Sequence, residues 1–315
     1  MTLRTRSLAV VAVGGLLALT ACGSTAKTPA QTDTLSGVKV VGSDPKKAPV
    51  VTLTKKPFTV SKTTTQVLKP GSGDVLTDKD IASLSLEVVN GKDGKAVNSN
   101  FETGAAGLYL GEPTLLKGLK TGVTGQKVGS RLLVAVPPAD GFGSQGNTSL
   151  GIGATDTMLF VIDVVSSTEM LDVATGATVA PKAGLPTVVY NAGKAATITI
   201  PKGAKAPAKT VIQPLVQGSG TTIKAGMTVR ATYTGVLWRN GKMFDNAWAH
   251  DPKYFEFPAA GNGAISAWSN GVVGQKVGSR LLLVVAPVDG YGAKGQGDIK
   301  GTDTMVFVMD ILAAY

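Results

Sequence analysis

The sequence predicts a β-rich α+β chain built from two tandem copies of one unit, and three observations carry that expectation. A decapeptide occurs twice, GVTGQKVGSR at 122–131 and GVVGQKVGSR at 271–280, with nine of ten residues matching. Each copy runs into an apolar segment and then an aspartate-glycine-aromatic-glycine turn, LLVAVPPADGFG and LLLVVAPVDGYG. Glycine supplies 40 of 315 residues, and the runs between glycines are rich in Val, Thr, Ile and Leu, which favours short strands and many turns. Two copies at a long period describe tandem globular domains and not a solenoid.

Aligning the copies gives a shift of 147 positions, which carries Gly71-Ser72-Gly73 onto Gly218-Ser219-Gly220 and Thr155-Asp156-Thr157-Met158 onto Thr302-Asp303-Thr304-Met305. Between these anchors the shift grows to 149 and then returns. The second copy therefore gains two residues near 246–256 and loses them between Tyr291 and Thr302, which places both changes in surface loops.

At the N-terminus, Arg4 and Arg6 precede an apolar run from Leu8 to Leu19, which reads as a secretory leader over 1–21. Leu19-Thr20-Ala21-Cys22 resembles a bacterial lipobox, which implies acylation of Cys22 and attachment to the outer face of the cell membrane. Residues 22–36 read as a flexible tether. Cys22 is the only cysteine, so an internal disulfide and a thiolate metal cluster are both excluded.

Beyond the tether, Val38–Val41, Val50–Leu53 and Phe58–Val60 are short β-prone pieces, followed by Gln66-Val67-Leu68. Ser83–Val89 is a strand and Asp93-Gly94 a turn. Leu115, Leu116 and Leu119 mark one side of a short helix ending near Gly122. Arg131–Val136 and Met158–Val165 are continuous apolar strands that complete a first domain over 37–168. Residues 169–184, rich in Gly and Pro, read as the connection to a second domain over 185–315.

In that second domain Ala196–Ile200 is a strand. Val229, Ala231 and Tyr233 alternate with Arg230, Thr232 and Thr234, which predicts one apolar and one wet face. Trp238-Arg239-Asn240-Gly241 closes a turn, Phe255 and Phe257 share a strand face, and Ile265 and Trp268 mark the helix. Leu281–Ala286 and Met305–Leu312 are central strands. The sum for each unit is an antiparallel sheet laid over one short helix.

The residues from Thr228 to Leu312 resemble the FKBP-type peptidyl-prolyl cis/trans isomerases. The resemblance rests on Tyr233-Thr234-Gly235, Asn240-Gly241-Lys242-x-Phe244-Asp245, Phe255-x-Phe257, Ile265-x-x-Trp268, Gly271-Val272-x-Gly274-x-x-Val277-Gly278, Tyr291-Gly292 and Val306-Phe307. It implies two tandem FKBP-like domains, each a twisted antiparallel sheet wrapped on a short helix. It further implies a proline pocket in the second, with Trp268 as floor and Tyr233, Phe244, Phe255 and Phe307 as walls. By the same resemblance the Ile265 N–H and the Tyr291 hydroxyl hold substrate carbonyls, Asp245 is the pocket carboxylate, and Ile299 sits on the loop overhanging the pocket. The implied ligands are proline-containing polypeptides and macrolides of the rapamycin kind, with no cofactor or metal.

In the first domain the matching positions are Leu86, Val97, Asn98, Leu108, Leu116, Leu119, Phe142 and Phe160, so the scaffold is kept and the polar and aromatic pocket is not. That domain is expected to lack catalysis.

His250 is the chain's single histidine, which excludes Ser-His-Asp and Cys-His catalysis and multi-histidine metal sites; it reads as a solvated loop residue. The net charge of +10 comes from lysines scattered among glycines and threonines. That pattern argues against a nucleic-acid groove and fits an anionic membrane or wall surface, or simple solubility. The expected function is a lipid-anchored isomerase acting on exported proteins, and the alternative is a non-catalytic client-binding or scaffold lipoprotein.

Overall fold

The computed structural model describes residues 35–315, so the leader at 1–21, Cys22 and the tether through residue 34 lie outside the described residues. The first domain contains β1 (Val38–Val41), β2 (Val50–Leu53), β3 (Thr64–Lys69), β4 (Asp80–Asn90), β5 (Ala96–Ser99), β6 (Ala106–Tyr109), α1 (Lys117–Val123), β7 (Arg131–Val136) and β8 (Met158–Glu169). The segment after it holds β9 (Gly176–Thr178). The second domain follows with β10 (Thr187–Val189), β11 (Thr197–Thr199), β12 (Val211–Gly218), β13 (Thr228–Leu237), β14 (Met243–Asn246), β15 (Phe255–Pro258), α2 (Ser266–Gly271), β16 (Arg280–Val285) and β17 (Met305–Ala314).

Both main sheets are antiparallel and share one plan. The first runs β3-β7-β8-β4 with β5 and β6 side by side along the far edge of β4. The second runs β9-β12-β16-β17-β13 with β14 and β15 along β13. Even the register repeats. Tyr233 lies opposite Met309 and Gly235 opposite Asp245 in the second sheet, while Leu86 lies opposite Ile162 and Val88 opposite Asn98 in the first.

Strands β16 and β17 are apolar except for Arg280 and Asp310, which pair with each other, because both faces of the sheet are covered. Leu281, Leu283 and Val285 face the core that contains α2, whereas Leu282 and Val284 face the other way, onto a layer containing Ala196, Ile198 and Trp238. The hairpin β10–β11 supplies that second cover. In the first domain the hairpin β1–β2 does the same over Leu133, Ala135, Leu159 and Val161.

Four sequence expectations change here. The face of β13 expected to be wet is covered: Arg230 and Thr232 are buried, and Thr234 accepts a hydrogen bond from the Ala196 N–H at 2.9 Å. Phe58–Val60 forms no strand, because the Phe58 N–H donates to the Gly91 carbonyl and the Val60 N–H to Thr157 Oγ1, loop partners outside any ladder. Residues 169–184 are more than a connection, since β9 pairs with β12 and Gln213 Nε2 donates to the Ala180 carbonyl. Both helices contain Leu119 or Trp268 as expected but leave Leu115, Leu116 and Ile265 outside, with Leu116 and Ile265 as their capping residues.

Candidate active site

The site lies where β13, β14, β15 and β17 meet α2 and the loop after β16. Side chains two apart on a strand share a face, so Tyr233 and Gly235 look to the same side of β13. Gly235 pairs with Asp245 across the β13–β14 ladder. A Cβ on Gly235 would lie 2.7 Å from both Phe244 Cζ and Phe307 Cε1, so the missing side chain is what lets those two rings close over the strand. From the other side α2 brings Trp268 into the same space.

Trp268 forms the floor. Its ring is buried and packs at 4.9 Å from the ring of Tyr233, 5.0 Å from Phe307, 5.6 Å from Phe257 and 5.8 Å from Phe255, largely edge-on. Such geometry suits the ring quadrupoles and fixes each ring against the next. Its indole N–H is buried and has no hydrogen-bond partner among the described residues. Above this floor opens a cleft of about 630 Å³ lined by Tyr233, Phe244, Asp245, Phe255, Ile265, Trp268, Tyr291 and Phe307, with exposed Val288 on its rim. Eight sequence-predicted residues thus come together. Ile299, the ninth, is buried in the same core but lines an adjoining cleft of about 790 Å³, which shares Phe244, Asp245 and Tyr291 with the first.

The polar groups are few and directed. The Tyr233 hydroxyl donates to Asp245 Oδ2 at 2.7 Å, and the Asn246 N–H donates to Oδ1 at 2.8 Å. His250 Nε2 stands 2.8 Å from the same Oδ1. His250 is exposed on its loop as expected, and the contact with the pocket carboxylate is what the sequence did not show. Burial pushes the Asp245 carboxyl up, but the hydrogen bonds from Tyr233, His250 and Asn246 outweigh it and hold the group below its ordinary 3.8. Burial, with the Asp245 carboxylate next to it, raises the Tyr233 phenol, and burial raises Tyr291 in the same way. Both phenols therefore remain donors at neutral pH. No acceptor among the described residues takes the Ile265 N–H or the Tyr291 hydroxyl, so the cleft offers two unused donors beside its aromatic rings.

A model of the FKBP-type peptidyl-prolyl cis-trans isomerase family matches residues 52–165 and 219–312 of this chain, one segment in each domain. The chain belongs to the FKBP family. Among its relatives, a probable FK506-binding protein of Corynebacterium glutamicum is 35% identical over 117 residues, covering 37% of this chain and 96% of the relative. An FK506-binding protein of Streptomyces anulatus is 34% identical over 113 residues, covering 35% of this chain and 90% of its own. A crystal structure of the three FKBP domains of wheat FKBP73 aligns over 80% of this chain and 94% of its own, at 19% identity and a TM-score of 0.34. The family's reaction is peptidyl-prolyl isomerisation, and its members bind proline-containing chains and FK506-like macrolides.

In the first FKBP domain the same backbone carries a different interior. Leu86, Val97, Leu108, Leu116, Leu119, Phe142 and Phe160 pack into one apolar cluster with Val88. Val88 stands where the second domain has Gly235, so a branched side chain fills the space that the second domain leaves for its two phenylalanine rings. Asn98, opposite Val88, carries no charge and Phe142 has no hydroxyl to donate.

Proposed function

We propose that the second FKBP domain is the catalytic one, and that the first is a non-catalytic companion. The observation that carries this reading is the Tyr233–Asp245 pair set in an aromatic cleft with two unused donors, Ile265 N–H and Tyr291 hydroxyl.

Rotation about an X–Pro bond faces a barrier of about 18–20 kcal/mol, because the planar amide is resonance-stabilised. In the twisted state that resonance is lost and the carbonyl becomes less polar. An apolar cleft around Trp268 and Phe307 therefore favours the twisted state over the solvated planar amide. The Ile265 N–H and the Tyr291 hydroxyl orient the substrate's carbonyls while the prolyl ring sits on Trp268. Neither nucleophile nor metal enters this route.

The test is isomerisation of a short X-Pro peptide by the full chain, alongside Trp268→Leu and Leu119→Ala, the two matched floor positions. Loss of rate in the first variant with retention in the folded second supports the assignment. A folded full chain that leaves the peptide's rate unchanged supports instead the client-binding reading, which the persistence of the pocketless first domain favours.

We further propose that the protein works outside the cytoplasmic membrane, held by acylated Cys22 and acting on exported chains. The apolar leader and the lipobox-like Leu19-Thr20-Ala21-Cys22 support this. Incorporation of labelled fatty acid into the wild type and not into Cys22→Ala is the expected result, and labelling of both would overturn it.

A further inference from the structure

We propose that His250 is a positioning residue for the pocket carboxylate, and that its protonation sets the rate of the second domain across mildly acidic pH. The proposal rests on the isomerase reading above and adds regulation to that site.

The geometry is a relay of three side chains. Tyr233 on β13 donates to Asp245 Oδ2, and Asp245 on β14 receives His250 on its other oxygen at 2.8 Å. His250 follows the turn Ala247–Ala249, and its main-chain N–H donates to the Ala247 carbonyl, so the turn fixes the backbone at His250 while Asp245 holds the imidazole. Ala247 is fully buried and Trp248 packs against the core, which anchors the turn beneath the histidine. About half of the His250 side chain faces solvent, so protons exchange with bulk water freely while the ring keeps its contact.

The groups facing this relay are Tyr233 from β13, Tyr291 from the loop after β16, and Asp245 itself; Asp251 and Lys253 follow on the same loop as His250. Both phenols are raised and Asp245 is lowered, so these three hold their charge state through mildly acidic pH. Histidine is the side chain that ordinarily changes charge between about pH 5 and 8. Neutral His250 leaves the Asp245 carboxylate as an uncompensated negative charge on the cleft wall. Protonated His250 makes the contact charge-assisted and the pair neutral overall. A neutral wall favours the less polar twisted amide over the planar one, so the rate rises as pH falls.

The test is kcat/KM of the full chain on an X-Pro peptide from about pH 5 to 8, for the wild type, His250→Gln and His250→Arg. Glutamine keeps a donor but no charge, and arginine keeps a charge at every pH. The wild type is expected to rise about three- to tenfold toward pH 5, the difference between a neutral and a charge-assisted contact. His250→Arg should hold the high plateau and His250→Gln the low one, both without the transition. A flat wild-type profile, or a transition that survives in both variants, overturns the proposal. Where the wild type binds the peptide without accelerating it, the isomerase reading fails separately. The same three proteins then read out dissociation constants by tryptophan fluorescence, and a pH dependence absent from both variants upholds His250 while one present in all three removes it.

Discussion

Tyr233 and Asp245 share one hydrogen bond, from the phenol to Oδ2 at 2.7 Å, which makes each a probe of the other. Tyr233→Phe removes one hydroxyl and leaves the ring against Trp268 and Phe307. Asp245 is partly exposed, so water recovers some of the lost interaction. The expected result is a fall in kcat/KM of about three- to tenfold with little change in melting temperature. A variant that melts several degrees lower at unchanged rate would assign the hydroxyl to structure. The carboxyl of Asp245 also leaves a signature in stability. Its folded-state value lies below the ordinary 3.8, so its contribution is fully present above that value and is lost as pH falls through the lower one. The urea midpoints of the wild type and Asp245→Asn should therefore differ at about pH 6 and converge near pH 2. A gap that persists at the acidic end would trace the effect of the substitution to packing.

At the scale of elements, the hairpins that cover the sheets deserve a direct test, because each is only a pair of short strands. Ile198 on β11 is buried against Val236, Leu282 and Val308. Ile198→Asp places a carboxylate in that layer and should cost about 3 kcal/mol or more, read as a lower urea midpoint, while an exposed change such as Thr199→Asp should cost little. Equal effects would mean that the hairpin is not a cover. These hairpins also mark where sequence reading ends. The long strands were legible because Leu281–Ala286 is an apolar run and Met305–Leu312 is one broken by Asp310 alone, and the pocket because its aromatics stand at family spacing. Strands β9, β10 and β11 have three residues each, too few to show a period. Arg230, Thr232 and Thr234 alternate as a half-wet strand would, but the cover over Thr234 comes from Ala196, far upstream, which a local pattern does not encode. His250 likewise sits in a loop without periodicity, and nothing but the path of that loop returns it to Asp245.

For the described chain as a whole, Arg230 sits at the centre of a cage of contacts that joins the two domains. Its guanidinium is buried, ion-paired to Glu256 at 2.6 Å, and stacked over three rings: Tyr254 at 4.6 Å, Tyr109 at 5.2 Å and Tyr315 at 5.8 Å. Tyr109 belongs to β6 of the first domain, the others to the second. Around this cage the Tyr254 hydroxyl donates to Glu112 at 2.6 Å, and the Leu171 N–H donates to the Leu312 carbonyl. The ring of Tyr315 lies so close to Gly107 that a Cβ there would fall 2.1 Å from it. Arg230→Gln removes the charge and the stacking from a desolvated position, which should cost about 2 kcal/mol, or about 4–8 °C in melting temperature. Burial and the Glu256 contact push the Tyr315 phenol up to about 12, so its contribution to stability is complete below its ordinary 10.0 and is lost as pH climbs toward that higher value. Calorimetry of the full chain at neutral pH should show one transition for the wild type and two for Arg230→Gln, because the first domain then melts without drawing the second with it. A single transition displaced as a whole would mean that Arg230 stabilises β13 alone. Two transitions already present in the wild type would mean that the domains are independent, and the cage a contact without consequence for folding.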